Sequence, residues 1–364
     1  MYIMKLPNGI IELSKLFKEN GKKLYVVGGY VRDTVMGLKP LDIDLCTDSL
    51  PSETLEFIGD KYKANLVGKS FGVIILTVDG EDVEIASFRI DGLGRKPTVK
   101  FGVTIEDDVQ RRDLTISAMY YDIEEGELVD LVGGKKDIEN RVIRMVGDPY
   151  DRIEEDPLRI LRVIRYATRY GYDIEPETHK AVMNSNIDGI SKERVVAEMN
   201  KAYKESISFV HYFKLISEFN LWKQIFRGFK VNSENIIEQS CLELYLANLL
   251  RYNDPEKLGK LKSKFKFSSA VTDTVVFLVK LQDFRTDNVL TIYKEMKRVG
   301  VSRKLVKEWS VMLETEFVRK CVMALVDYKP TVTSKELIDE GFTRRALGLE
   351  MRKREADKFV ELVE

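Results

Sequence analysis

The run Leu41-Asp42-Ile43-Asp44-Leu45 alternates apolar and acidic residues with the period of a β-strand. Side chains at i and i+2 of a strand share a face, so the spacing predicts Leu41, Ile43 and Leu45 in a core and both carboxylates on the opposite side. Two carboxylates held together on a sheet form a site for Mg²⁺. That ion takes oxygen ligands in octahedral geometry, and a nucleoside triphosphate supplies the ligands the protein does not. A lone Asp-x-Asp reads equally as an exposed strand with an acidic outer face, so the neighbouring segments decide between the two.

Upstream, the short apolar run Leu24-Tyr25-Val26-Val27 ends at Gly28-Gly29, and Tyr30 to Met36 continues as a helix. Two glycines between a strand and a helix let backbone N–H groups approach a phosphate closely. Arg32 follows one helical turn later with a planar fork of donors suited to phosphate oxygens. No Gly-x-x-x-x-Gly-Lys-Ser/Thr string occurs, so this is not that kind of phosphate loop.

Downstream, Val73–Val78 and Val83–Phe88 are β-rich runs joined by Asp79-Gly80-Glu81-Asp82, a hairpin signal. Two readings stand for Glu84 on the second run: a third carboxylate on the face of Asp42 and Asp44, or a solvent-facing residue of a half-buried strand. Arg111-Arg112-Asp113 then leads into a helix through Met119. Pro157 to Tyr170 carries a helical apolar stripe of Leu158, Leu161, Ile164 and Ala167, with Asp156 as N-cap, Pro157 at the first position and Gly171 as the stop. Arg159, Arg162 and Arg165 form a basic stripe beside it.

Taken in order, Gly28-Gly29-x-Val31-Arg32-Asp33, Asp42-x-Asp44, Arg111-Arg112-Asp113, Glu155-Asp156-x-x-Arg159 with Arg162 and Arg165, and Glu193-Arg194-Val195 resemble the class II tRNA nucleotidyltransferases. That family comprises the CCA-adding enzymes and their bacterial poly(A) polymerase relatives. The likeness covers about the first 200 residues. It implies an α+β fold: a polymerase-β-like head with a mixed, five-stranded sheet over 1–147, a helical neck over 148–205, and a helical body and tail over 206–364.

The resemblance also implies roles. Gly28, Gly29 and Arg32 would bind the triphosphate, Asp42 and Asp44 the metal, with Glu84 as a further candidate catalytic carboxylate. Arg112 and Asp113 would handle the ribose, Asp156 and Arg159 read the base, and Arg162 and Arg165 help hold the nucleotide. Chemistry agrees with the base-reading pair. Cytosine and adenine each set an amino donor beside a ring-nitrogen acceptor, which a carboxylate and an arginine satisfy together. Uracil and guanine place a carbonyl where Asp156 needs a donor, leaving a buried acceptor unpaired at about 1–3 kcal/mol.

The implied activity is template-independent addition of C, C and A to the 3′ end of tRNA from CTP and ATP, with Mg²⁺ and contacts along the acceptor and TΨC arms. Two related activities stand beside it. Between Phe88-Arg89 and Arg95-Lys96-Pro97 the chain has only Ile90-Asp91-Gly92-Leu93-Gly94, shorter than in complete CCA-adding relatives, which points to a CC-adding enzyme. Poly(A) polymerase shares the motifs, although the near-neutral net charge of −1 and the lack of a strongly basic extension weigh against it. A catalytically silent RNA-binding protein is the reading from another class.

Three widely spaced cysteines, Cys46, Cys241 and Cys321, point to neither a disulfide framework nor a zinc site. His179 and His211 are too few for a histidine-rich hydrolase centre. With no membrane-length apolar run and no signal-peptide pattern, a cytoplasmic location is expected. In the C-terminal third, Lys257 to Lys266 holds five lysines, and Arg344-Arg345 precedes Arg352-Lys353-Arg354. Such faces track RNA phosphates or are simply solvated.

Overall fold

The computed structural model describes residues 4–65, 68, 72–92, 99–234 and 236–363. The chain divides into two compact units. The first runs to Ile190 and includes Lys204–Ser208; the second holds Ser191–Tyr203 and everything from Phe209 onward.

In chain order the first unit contains α1 (Asn8–Glu19), β1 (Leu24–Val27), α2 (Gly29–Val35), β2 (Asp44–Thr47), α3 (Pro51–Ile58), β3 (Lys63–Asn65), β4 (Val73–Val78) and β5 (Glu81–Ser87). There follow β6 (Arg89–Asp91), β7 (Val99–Phe101), α4 (Ile105–Gln110), β8 (Tyr120–Asp122), β9 (Glu127–Val129) and α5 (Gly134–Asn140). The unit continues with β10 (Val142–Ile143), α6 (Pro149–Glu155), α7 (Leu158–Tyr170), β11 (Asp173–Ile174) and α8 (Pro176–Met183).

Seven strands form one mixed sheet in the order β3-β4-β5-β2-β1-β8-β9, in which β2 and β5 run parallel and the other neighbours antiparallel. The sheet is wider than the five strands expected because two three-residue strands, β3 and β9, extend its edges. All four residues of β1 are buried, as a continuous apolar run at a sheet centre requires. On one face Tyr25, Cys46, Phe88, Val109 and Tyr120 share a core, with the Tyr25, Phe88 and Tyr120 rings 5.8–6.3 Å apart. Helix α1 buries Ile10, Leu13 and Phe17, and Phe17 meets Phe57 of α3 edge-on at 4.9 Å.

The β4–β5 turn is tighter than the sequence suggested. Asp79 and Gly80 both have positive φ, 52° and 87°, which is the two-residue turn whose twist matches a hairpin, so β5 starts already at Glu81. A second difference concerns β2. It begins at Asp44, and Leu41, expected in the core, is 78 % exposed. The ladder with β1 ends at the Val27–Asp44 pair because Gly28 turns the chain into α2, so residues before Asp44 have no partner on that side. A third lies after Arg112-Asp113: instead of a helix through Met119 there is one 3₁₀ turn, Thr115–Ser117, before β8. Thr115 is drawn into tertiary bonds, its N–H to the Arg144 carbonyl and its hydroxyl to Asp137.

Helix α7 buries Leu158, Leu161, Ile164 and Ala167 and ends at Gly171, whose φ of 64° suits glycine. The second unit is mostly helical over Phe209–Val363, its longest non-helical stretch among the described residues lying between Ile225 and Leu242, around a core in which Phe209, Phe213, Trp222 and Tyr245 pack ring on ring. Among the described residues no helix is long and apolar enough to cross a membrane.

Candidate active site

The site is built at the ends of β1, β2 and β5. Gly28 adopts φ 72° and ψ −127°, a conformation open to glycine, and a Cβ placed on it would lie 3.8 Å from Asp44 Oδ2. The turn between β1 and α2 therefore lies against the first residue of β2. Across the parallel pair, Asp44 is in register with Glu84, so the two side chains emerge side by side on one face. Glu84 thus shares the face of Asp44 and is also exposed to solvent. Asp42 precedes the strand and is exposed, beside a cleft of about 280 Å³ lined by Leu41, Ile43, Val78 and Val83.

Although the Asp44 side chain reaches solvent, desolvation by surrounding protein raises its carboxyl above the ordinary aspartate range. The charges of Glu84 and Asp42 add to this, against the pull of Arg112. Among the described residues no three His, Cys, Asp or Glu side chains are already gathered tightly enough to hold a metal ion. The donor set is nevertheless hard-oxygen throughout. Negative charges brought beside the Asp44 carboxylate are neutralised by a divalent cation placed among them, so these residues fit such an ion.

Arg32 lies on α2 with only 3 % exposure. Its Nε donates to Asp33 at 2.9 Å and Nη1 to the hydroxyls of Ser117 at 3.3 Å and Tyr166 at 3.4 Å. Burial opposes its charge, but Tyr166, Tyr170 and Asp33 together hold its pKa above the usual value.

Arg112 and Asp113 follow α4. Arg112 donates to Asp108 at 2.9 Å and to the Tyr120 hydroxyl at 2.7 Å, and it stacks 4.7 Å from that ring. Asp113 pairs with Arg162 and caps the Leu114 N–H at 2.9 Å. Burial works against ionisation of Asp113, yet Arg162 holds its carboxyl below the usual range.

Asp156 accepts the Leu158 N–H at 3.2 Å, but α7 begins one residue later than expected, with Pro157 at the cap position and Asp156 closing α6. Arg159 lies one turn on, bonded to Glu155 at 2.6 Å, to the Arg152 carbonyl at 2.7 Å and to the Arg111 carbonyl at 3.0 Å. Arg165 pairs with Glu205 at 2.8 Å. The three arginines of the α7 stripe thus rest on three carboxylates, Glu155, Asp113 and Glu205.

Asp108 escaped the sequence reading. Its fully buried carboxylate accepts from Arg111, Arg112, the Tyr120 hydroxyl and the Arg89 N–H, at 2.8 to 3.2 Å. Burial opposes its charge, but Arg112 and Arg111 keep its pKa low. The signal was present in the chain: Asp108 stands three and four residues before the arginine pair, one helical turn away. Arg89 opens the β6–β7 hairpin, whose connecting residues 93–98 lie outside the described residues, so the short Ile90–Gly94 segment is described only to Gly92.

The family model for the poly(A) polymerase head domain matches residues 24–144, and the probable RNA- and SrmB-binding region of polymerase A matches residues 171–232, together about half the chain. A CCA-adding enzyme from Bacillus pumilus is 41% identical over 192 residues, 51% of this chain and 47% of that protein. Poly(A) polymerase I from Escherichia coli O6:H1 is 33% identical over 243 residues, 60% of this chain and 51% of that protein. The chain spans about half the length of the curated relatives it matches. The Thermotoga maritima CCA-adding enzyme, solved in complex with tRNA, has the same fold. Its TM-score is 0.68 at 22% identity, covering 98% of this chain and 93% of that one. Glycine turn, carboxylate strand, arginine pair and the arginine-bearing helix α7 occur in one compact unit within the matched head and the segment that follows it, and the chain belongs to the class II tRNA nucleotidyltransferases, a family that requires a divalent metal.

Proposed function

We propose that this chain adds C, C and A to the 3′ end of tRNA, using CTP and ATP and no nucleic-acid template. The observation that carries the reading is the approach of Gly28 to Asp44, with Glu84 in register beside it. It sets an N–H-rich turn suited to phosphates directly against carboxylates suited to a cation.

In this reading Asp42, Asp44 and Glu84 hold Mg²⁺, which when bound supplies neutralising charge at the triphosphate and the attacking hydroxyl. The Gly28-Gly29 turn holds the tail of the triphosphate. Arg112 and Asp113 face the ribose, fixed by Asp108 and Arg162. Asp156 accepts from the amino group of cytosine or adenine while Arg159 donates to the adjacent ring nitrogen. The tRNA 3′ oxygen bonds to the α-phosphorus, the bond to the β-phosphate bridging oxygen breaks, and pyrophosphate leaves. The catalytic head spans 1–147, the neck 148–205, and the body and tail 206–364. Lys257, Lys260, Lys262, Lys264 and Lys266 are all exposed, and none makes an ion pair among the described residues, which supports an RNA-backbone surface on the body. A cytoplasmic location suits this substrate.

The shortness of Ile90–Gly94, between Arg89 and Arg95, favours a second reading, addition of CC alone; poly(A) addition is the third. Incubation with all four triphosphates and a tRNA lacking its last three nucleotides tests the reading. Uptake of C and A alone, with extension stopping at three, supports it; a long A tract on any RNA replaces it with poly(A) polymerase.

A further inference from the structure

Three guanidinium groups converge on a single tyrosine. Tyr166 lies on α7, four residues after Arg162, and only 7 % of it is exposed. Its ring centre is 4.2 Å from the Arg165 guanidinium, 5.2 Å from that of Arg32 and 5.8 Å from that of Arg162, and its hydroxyl accepts from Arg32. Each arginine has a carboxylate partner: Arg32 pairs with Asp33, Arg162 with Asp113, and Arg165 with Glu205. Asp33 and Glu205 are shared with Arg169, so Tyr166 adds to the balance of charge around Arg32. It is the common surface on which three like-charged planar groups rest, with the electron-rich ring face offsetting part of their repulsion.

A second ring extends this surface. Tyr170 stacks on Tyr166 at 6.1 Å with an interplanar angle of 14°, lies 5.5 Å from the Arg32 guanidinium, and donates its hydroxyl to Asp33 at 3.2 Å. Arg32 and Asp33 belong to α2, whose first residue follows Gly28; Tyr166 and Tyr170 belong to α7, which begins two residues after Asp156. Arg32 Nε and Nη2 are taken by Asp33, and Nη1 is directed at Ser117 and Tyr166.

We propose that Tyr166 is a positioning residue that, through Arg32, fixes the Gly28-Gly29 turn relative to the base-reading helix. The contact sets the span between the place where phosphates bind and the place where the base is read. Losing it lets α2 shift against α7, so CTP and ATP bind less tightly while tRNA binding is untouched. The inference rests on the transferase reading above.

The test uses the full chain. Dissociation constants for CTP and ATP are measured by displacement of a fluorescent nucleotide. KM and kcat are measured on tRNA trimmed of its last three nucleotides, and melting temperatures alongside. The variants are Tyr166→Leu, Tyr166→Phe, Arg32→Lys and their combinations. Tyr166→Leu is expected to weaken both nucleotides about tenfold with tRNA affinity unchanged. Tyr166→Phe, which keeps the ring, should recover most of that loss. Because the two residues act through one contact, adding Arg32→Lys to Tyr166→Leu should weaken binding by less than the product of the two single effects. A folded Tyr166→Leu protein with wild-type nucleotide affinity, or a combination whose effects multiply, overturns the tether. If Tyr166→Leu does not fold, Tyr166→Met, which also removes the ring, replaces it in every comparison, alone and with Arg32→Lys. A wild-type protein that extends no tRNA strikes the transferase reading instead.

Discussion

Asp44 and Glu84 are register partners across the parallel β2–β5 pairing, so a carboxylate that would repel its neighbour in water is held beside it by the backbone ladder. Such a pair is stable in the presence of a cation and strained in its absence. Glu84→Gln keeps the shape and removes one charge. It should raise the divalent-ion concentration needed for half-maximal turnover by about tenfold or more. A metal titration of variant and wild type that superimposes would leave Glu84 as an outer-face residue only.

Asp108 is predicted to be the main electrostatic anchor of the Arg111-Arg112 pair. Asp108→Asn leaves two guanidiniums beside a neutral amide in a buried place, at a cost of about 3–5 kcal/mol in unfolding free energy. Its pKa is lowered in the fold, as is that of Asp113. The stabilisation is therefore complete above the ordinary aspartate pKa and is lost as pH falls through the depressed folded values. Melting temperatures from neutral pH down to about pH 2 should decline less steeply for Asp108→Asn than for wild type. Parallel curves would show that Asp108 carries no linked proton.

For Asp156 two roles separate cleanly. If the side chain only caps α7 through the Leu158 N–H, Asp156→Ala loses about 1 kcal/mol and nucleotide choice stays intact. If it also reads the base, the variant accepts UTP and GTP. Misincorporation is expected, measured beside the melting temperature; unchanged selectivity in a folded variant contradicts the base-reading role.

The parts of this site that the chain makes legible are those set by local periodicity. Gly28-Gly29 between an apolar run and a helix, and Glu84 alternating with Val83 and Ile85, follow from backbone rules that need no tertiary knowledge. The start of β2 did not, because the ladder stops where Gly28 turns β1 away, and that depends on a partner strand. The surroundings of Arg32 were equally hidden. They are supplied by Ser117 and Tyr166, 85 and 134 residues distant in the chain. The helix expected beyond Asp113 was lost to Thr115, whose bonds go to Arg144 and Asp137.

The segment Ile90–Gly94, shorter than in complete CCA-adding relatives, makes product length the next expectation. A glycine-containing segment extends at most about 3.5 Å per residue, so a shorter one reaches less far. With CTP and ATP supplied together to a tRNA lacking its last three nucleotides, extension by three is expected. Extension by two, with no A added to a tRNA already ending in CC, makes this a CC-adding enzyme.

Nucleotide transfer to tRNA driven by the carboxylates at the head of β2 is tested by comparing wild type with Asp42→Ala and Asp44→Ala. Incorporation of labelled CTP and ATP into trimmed tRNA is followed alongside tRNA binding. Each variant is expected to bind tRNA as wild type does and to lose incorporation of both nucleotides; turnover above about a tenth of wild type, a loss of less than about 1.4 kcal/mol, in either variant rules out that role for the carboxylates.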